Sequence, residues 1–384
     1  MPYVTVKQSQ SYHQMSLDEL LFSDHSFYDP LPKPKFKNVA TCTRTYYVER
    51  VNDKLSDPQK IMELILTLEK FNSDAAPLFE VPRQSLYHSF DIPKKNGKKR
   101  HIDAPLPELM TALRVLKAIF EQKFHALYHT SAFAYIPGRC TVDAVKRHQE
   151  NDSRWFLKTD FSNFFGSTTL EFVMEMFSRV YPFSEVVRYP RGRAALEQAL
   201  SLCFLNGGLP QGTPISPLIT NVMMIPVDHA LYNSLRDFDK KNFVYTRYAD
   251  DIHISCRYDF SFRKVERHIN ETLAKFNAPF KINTEKTHYG SRSGRNWILG
   301  VMLNKDNVIT LGHQKKKELR AQIYNYLVDR ANGIPTSVQE LMELQGMISY
   351  FDMVEHPWID AVIKHYNKAL NTDLMVCLKS DIAA

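Results

Sequence analysis

Cysteine is scarce and scattered: five residues, at positions 42, 140, 203, 256 and 377, with no C-x-x-C spacing. Neither a zinc site nor a disulfide framework is therefore expected, and reduced thiols in a cytoplasm are the natural reading. Long apolar runs are missing too. No stretch approaches the ~18 residues of a membrane-spanning helix, and the segment from Met1 to Gln10 has no apolar core of a signal peptide. The chain is expected to be soluble and cytoplasmic, without a membrane partner. It also has no internal repeat and no low-complexity segment.

What is present suits a folded protein with an anionic partner. The 384 residues are 44% hydrophobic with a formal net charge of +7, enough for a substantial core in two or three compact units. A mild basic excess suits a polymer of phosphates without proving one. Coarse patterning predicts an irregular arm over 1–55 with Pro30, Pro32 and Pro34, then a helix from Pro58 to about Phe71. An amphipathic helix is expected between Leu106 and His129, others over 170–180 and 260–277, and a basic bend at Arg188, Arg191 and Arg193. Toward the C-terminus, helices are expected from Lys315 to Arg330 and, capped by Ser337, to Met353.

The most informative stretch is Tyr248-Ala249-Asp250-Asp251, between two runs rich in Val, Ile, Tyr, Phe and Thr at 242–248 and 252–256. This reads as a β-hairpin whose turn presents two carboxylates. Oxygen ligands at such a tip suit Mg²⁺, which leaves room for substrate phosphates. A lone Asp-Asp turn is more often simply solvated, so other motifs must decide. Upstream, Trp155 to Phe165 is an apolar, strand-like run that ends in Asp160 and continues into aromatics. Between the two lies Gly207 to Pro217, so dense in Gly and Pro that it must be a loop of special backbone geometry.

In this order, acid-tipped strand, Gly-Pro-Gln loop and Y-A-D-D hairpin resemble the palm motifs of reverse transcriptases. The likeness covers roughly residues 85–355. Ile92 to Pro105, with Asn96-Gly97 as its turn, looks like the fingers hairpin of group II intron and retron-like enzymes. Phe133 to Val145 looks like their F-R-P-G-R-S-T-x-D-A segment. Asn283 to Thr287 is similar to the lysine-bearing palm motif, and Trp297 to Val301 to the primer grip. The resemblance implies an α+β right-hand polymerase with fingers, a palm of antiparallel sheet with helices on one face, and a helical thumb. Its expected bounds are an N-terminal extension (1–55), fingers (56–155, with part of 166–206), palm (156–300), and thumb with tail (301–384).

The implied activity is RNA-directed DNA synthesis, in which a primer 3′-hydroxyl attacks the α-phosphate of a dNTP and expels pyrophosphate. Asp160, Asp250 and Asp251, with the backbone carbonyl of Phe161, are the implied ligands of two Mg²⁺, for which Mn²⁺ could substitute. Lys94, Arg100, Gln211, Gly212 and Lys286 are the expected nucleotide contacts, with Lys286 either a proton donor to pyrophosphate or merely a partner for an acid. Phe165, five residues after Asp160, is the expected steric bar to a 2′-hydroxyl, with Phe164 pointing the other way. Tyr248, Gly300, Lys315, Lys316 and Arg320 are the expected primer–template contacts.

Absences narrow the branch. No room follows the thumb for an RNase H domain, and Cys and His supply no endonuclease or zinc-finger pattern, so a self-spreading element is not expected. Residues 166–206 lack the Asn-Ala-x-x-His of retron enzymes, and Ile298-Leu299-Gly300 matches their Val-Thr-Gly poorly. The preferred expectation is a stand-alone bacterial enzyme of the abortive-infection or defence-associated kind, copying a noncoding RNA, with an effector protein or a second copy as partner. A retron enzyme making RNA-linked DNA comes next, followed by an untemplated or protein-primed polymerase. A non-catalytic RNA-binding module is disfavoured by the intact acids, Gln211 and Phe165.

Overall fold

The computed structural model describes residues 3–8, 11–16, 58–93, 97, 99–124, 128–293 and 297–383. Most of the expected N-terminal arm lies outside them. Within it, β1 (Tyr3–Gln8) and β2 (Ser11–Ser16) pair as an antiparallel hairpin where irregular chain was expected.

Helix α1 (Pro58–Asp74) precedes the basic hairpin of β3 (Tyr87–Pro93) and β4 (Lys99–Pro105), in register Ile92↔Arg100. Lys94 lies outside the described residues. The amphipathic helix α2 (Pro107–Phe124) buries Leu109, Leu113, Leu116 and Phe120, as their helical spacing requires. After α3 (Thr141–Glu150) comes β5 (Trp155–Asp160), then α4 (Leu170–Phe177) and α5 (Pro190–Ser201). The last replaces the expected basic bend. Pro190 sits in the first turn, where its fixed φ favours a helix start, while Arg191 pairs with Glu69 of α1 and Arg188 with Glu185.

Helix α6 (Ser216–Asp237) is apolar nearly all round and is buried as the central helix of the main core. The catalytic-type hairpin follows as β6 (Val244–Tyr248) and β7 (Asp251–Cys256), then α7 (Phe262–Ala274) and β8 (His288–Ser291). The sheet is antiparallel, in the order β6-β7-β5-β8. Alternation sends Leu157, Ile252, Ile254 and Cys256 into the core that includes Val265 and Ile269 of α7. The opposite face carries the cross-strand pairs Phe156↔Ser255, Lys158↔His253 and Asp160↔Asp251. Buried His148 of α3 covers the far end of that face, meeting Ser255 Oγ at 2.6 Å and Thr246 Oγ1 at 2.8 Å. At the other end of this face Asp251 is exposed.

The last quarter forms a second core. A three-stranded sheet, β9 (Trp297–Ile298), β10 (Val301–Leu303) and β11 (Ile309–Thr310), packs with α8 (His313–Ala331), α9 (Val338–Ala369) and α10 (Leu374–Ala383). Val145 and Phe156 join this core from the first lobe. Ser337 caps α9 in a reciprocal box with Glu340, as expected. The helix does not stop at Met353. It kinks at Glu355 (φ −138°, ψ 55°), two residues before Pro357, and runs on to Ala369. Proline removes one ladder hydrogen bond, and the Glu355 carboxylate anchors the kink by accepting from Leu311 N–H at 2.6 Å.

Candidate active site

The pairing Tyr248↔Asp251 leaves Ala249 and Asp250 as a two-residue loop. Asp250 is therefore the turn acid, while Asp251 opens β7 and stands across the ladder from Asp160. The Phe161 N–H donates to the Asp250 carbonyl at 3.1 Å, locking the two segments together. Ala249 holds φ 57°, a left-handed conformation uncommon outside glycine and costly when imposed.

Three carboxylates meet the ammonium of Lys286, with Arg100 also acting on Asp250. Lys286, at the end of the short turn Thr284–Lys286, pairs with Asp160 Oδ2, and this bond raises the lysine pKa. Burial, followed by the charges of Asp250 and Asp160, pushes Asp251 up to about 6. Burial and then Asp160 raise Asp250 as well. Among the described residues, no three His, Cys, Asp or Glu side chains are arranged to hold a metal ion as they stand. The residues nonetheless fit a hard divalent cation. Asp160 is 6% exposed, and its Oδ1 is buried with no hydrogen-bond partner in the protein. An oxygen-only donor set short of a full cage is what Mg²⁺ accepts when substrate phosphates complete the shell.

Around the acids lies a pocket of about 440 Å³ whose walls include Arg100, Phe165, Gln211, Gly212 and Lys286. The loop is docked by its backbone. The Asp103 N–H donates to the Gln211 carbonyl at 2.8 Å, and Gly212 has φ 123°. A Cβ on Gly212 would stand 2.8 Å from the Asp103 carbonyl oxygen, so glycine is needed for the close approach to β4. Phe165 lines the pocket while Phe164 enters the core against Phe161 and Phe280. The divergence arises differently from the expected strand alternation. Phe164–Ser167 is one helical turn after left-handed Asn163 (φ 46°), and helical rotation separates the two rings.

The expected primer–template residues divide. Tyr248 lies beside the acids, its ring 6.4 Å from that of Tyr135. Gly300 (φ 81°) and Leu299 (φ 52°) form the two-residue turn between β9 and β10, where both central residues need positive φ. Lys315 reaches the Gly300 carbonyl at 3.1 Å. Lys316 turns inward, 2.5 Å from Glu355 and over the Trp358 ring, which Arg320 also faces. Lys316 is thus engaged within the C-terminal lobe.

One set of residues was not anticipated. Arg247 and Asp228 are both fully buried: Arg247 Nε donates to Asp228 Oδ1 at 2.8 Å and Nη2 to Oδ2 at 2.7 Å. Tyr245 Oη donates to the same carboxylate at 2.7 Å. The remaining guanidinium nitrogen donates to the Ala249 carbonyl at 3.0 Å and to Asn221 Oδ1 at 3.3 Å. The hairpin turn is therefore clamped from beneath by a matched charge pair. The sequence signal was an arginine inside Val244–Tyr248 and an aspartate inside the apolar run Ile225–Leu231: buried charges occur in pairs.

Residues 92–315 match the family model described as reverse transcriptase (RNA-dependent DNA polymerase). The chain belongs to the reverse transcriptase family, and its α+β fold is that of a right-hand polymerase with an RNA template and a DNA product. Among curated proteins it is similar to the retron Ec83 reverse transcriptase of Escherichia coli, 26% identical over 318 residues, covering 80% of this chain and 96% of that one. The retron Ec73 reverse transcriptase of Escherichia coli is 28% identical over 240 residues, covering 61% of this chain and 74% of that one. Among solved structures, a telomerase from Candida albicans in complex with a fragment of telomeric RNA matches at 11% identity and TM-score 0.44, covering 83% of this chain and 64% of that one.

Proposed function

We propose that this RNA-directed DNA polymerase uses two-metal nucleotidyl transfer to copy a dedicated noncoding RNA in bacterial antiphage defence. The observation that carries the chemistry is the gathering of Asp160, Asp250 and Asp251 at adjacent strand ends, with Lys286 paired to Asp160, where Asp160 and Asp250 share a pocket with Arg100 and the Gln211–Gly212 loop. These acids would hold Mg²⁺, which when bound supplies Lewis-acid polarisation of the phosphate oxygens. Arg100 and Lys286 neutralise the triphosphate as negative charge builds toward the leaving group. Lys286 is also placed to donate a proton to pyrophosphate, since its ammonium, freed from Asp160, stays in the pocket. Phe165 excludes a 2′-hydroxyl by bulk, and Tyr248 meets the primer terminus.

The retron reading, in which the product stays linked to its RNA, is favoured by the likeness to retron reverse transcriptases. It stands despite the missing Asn-Ala-x-x-His stretch. The test is recovery of the protein from its native cells, sequencing of all bound nucleic acid, and a parallel recovery of the Asp250→Ala/Asp251→Ala double variant. One defined RNA with complementary DNA only on the intact protein supports the proposal, and covalently RNA-linked DNA selects the retron form. Random-sequence DNA joined to protein would replace it with untemplated synthesis. The same recovery reports an effector protein or a second copy.

A further inference from the structure

We propose that Tyr135 is a base-stacking residue for the template strand, held presented by backbone strain that the buried Arg247 network maintains. The inference rests on the polymerase reading. Tyr135 has φ 57° and is 60% exposed. A bulky residue rarely adopts that backbone conformation, and so exposed a ring is not there to fill the core. Strain of this kind persists only where the surroundings impose it, and it concentrates at functional sites.

The surroundings do impose it. Arg247 N–H donates to the Ser131 carbonyl at 2.7 Å, and Phe133 N–H donates to the Arg247 carbonyl at 2.9 Å, which lays this segment along β6. Arg139 Nη1 donates to the His129 and Ala132 carbonyls, both at 2.6 Å. Asn221 Nδ2 donates to the Ala134 carbonyl at 2.7 Å, while its Oδ1 accepts from the same Arg247 that holds Ala249. One buried Arg–Asn pair thus fixes two left-handed residues near the pocket, Tyr135 and Ala249.

The ring divides two spaces of different chemistry. On one side is the acid-lined pocket with Arg100 and Lys286, suited to the triphosphate and the reacting centre. On the other is a cavity of about 190 Å³ walled by Tyr128, Pro137, Pro214, Pro217 and Leu218, with a Lys117–Glu121 pair also at its lining. The aromatic and proline rings of this mixed wall, next to the reacting pair, suit a nucleobase face, because stacking needs a π-surface and no particular base. Tyr248 serves the primer end, which leaves the template, whose next base arrives unpaired and unstacked, for Tyr135.

The test uses the full chain, a DNA primer on an RNA template with 2-aminopurine at the templating position, and the variants Tyr135→Phe, Tyr135→Ala and Tyr135→Gly. Wild type and Tyr135→Phe should quench the probe and extend alike. Tyr135→Ala should lose the quench and weaken primer–template binding by about fivefold or more. Tyr135→Gly should show the same loss with an unchanged or raised melting temperature, because glycine accepts φ > 0 without strain. A purely structural tyrosine would instead lose stability and activity together. Tyr135→Ala binding and quenching like wild type would overturn the proposal, as would a quench sensitive to Tyr135 only when the probe sits in the primer. A wild-type protein that quenches through Tyr135 yet extends nothing would sink the polymerase reading and leave the stacking site standing.

Discussion

Two groups of aspartates lie on either side of one hairpin turn and are treated in opposite ways. Asp228 is fully buried and fully matched, gripped at both oxygens by Arg247 and again by Tyr245. Asp160, Asp250 and Asp251 crowd one another, with Lys286 paired to Asp160 and Arg100 acting on Asp250 across the pocket, and the Lys286 side chain is 65% exposed. Burying a compensated charge gives a rigid, inert joint, whereas leaving acids under-compensated stores repulsion that a bound cation relieves. In the proposed mechanism the first therefore positions and the second reacts.

The largest effect should come from neutralising the second group. Asp160→Asn, Asp250→Asn or Asp251→Asn should each slow single-turnover primer extension by about a thousandfold or more, since the Lewis-acid contribution is several kcal/mol at about 1.36 kcal/mol per decade. Melting temperature should not fall, because the substitution relieves repulsion. The opposite holds for the first group: Asp228→Ala should cost about 3–5 kcal/mol in urea unfolding by stranding the Arg247 charge. Asp228→Leu with Arg247→Met should recover much of that stability but not the synthesis rate, because the Ala249 carbonyl loses its donor. Full recovery of both would make Arg247 a stability element only.

Smaller effects sharpen the contrast. Gly212→Ala puts a Cβ into the Asp103 carbonyl at an unfavourable φ, a strain of about 1–3 kcal/mol. It should raise the dNTP KM more than it lowers kcat, as steady-state kinetics would show. The smallest effect is on pH. Asp251 titrates near 6 in the folded chain against an ordinary 3.8. Between those values the folded state keeps a proton that the unfolded chain has released, so without divalent metal this group's contribution falls as pH rises from about 4 to about 6. His148, pushed by burial down to about 3, acts in reverse and loses stability as pH drops below its ordinary value. Melting curves in chelator for wild type and Asp251→Asn separate the two, and only the Asp251 part should vanish in the variant.

The same contrast explains what could be read before the structure. The three reacting acids, Gln211–Gly212 and Phe165 sit in local motifs, where a turn, a strand end or a Gly-Pro loop announces itself through neighbouring residues. The matched pair does not, because Asp228 and Arg247 come from a helix and a strand that only the folded core brings together. Tyr135 was visible as a residue, but its left-handed backbone is imposed by Asn221, Arg139 and Arg247 from elsewhere in the chain. Two prolines carried signals that the arginines and the Met353 boundary obscured: Pro190 starts a helix where a bend was expected, and Pro357 kinks one that continues past Met353.

The most direct test is primer extension by the purified protein on an RNA template of mixed sequence, with dNTPs and Mg²⁺, followed by sequencing of the product. The account predicts DNA complementary to the template, dependent on Mg²⁺ and absent with Asp250→Asn/Asp251→Asn. Product of unrelated sequence, or equal synthesis by the double variant, would contradict it.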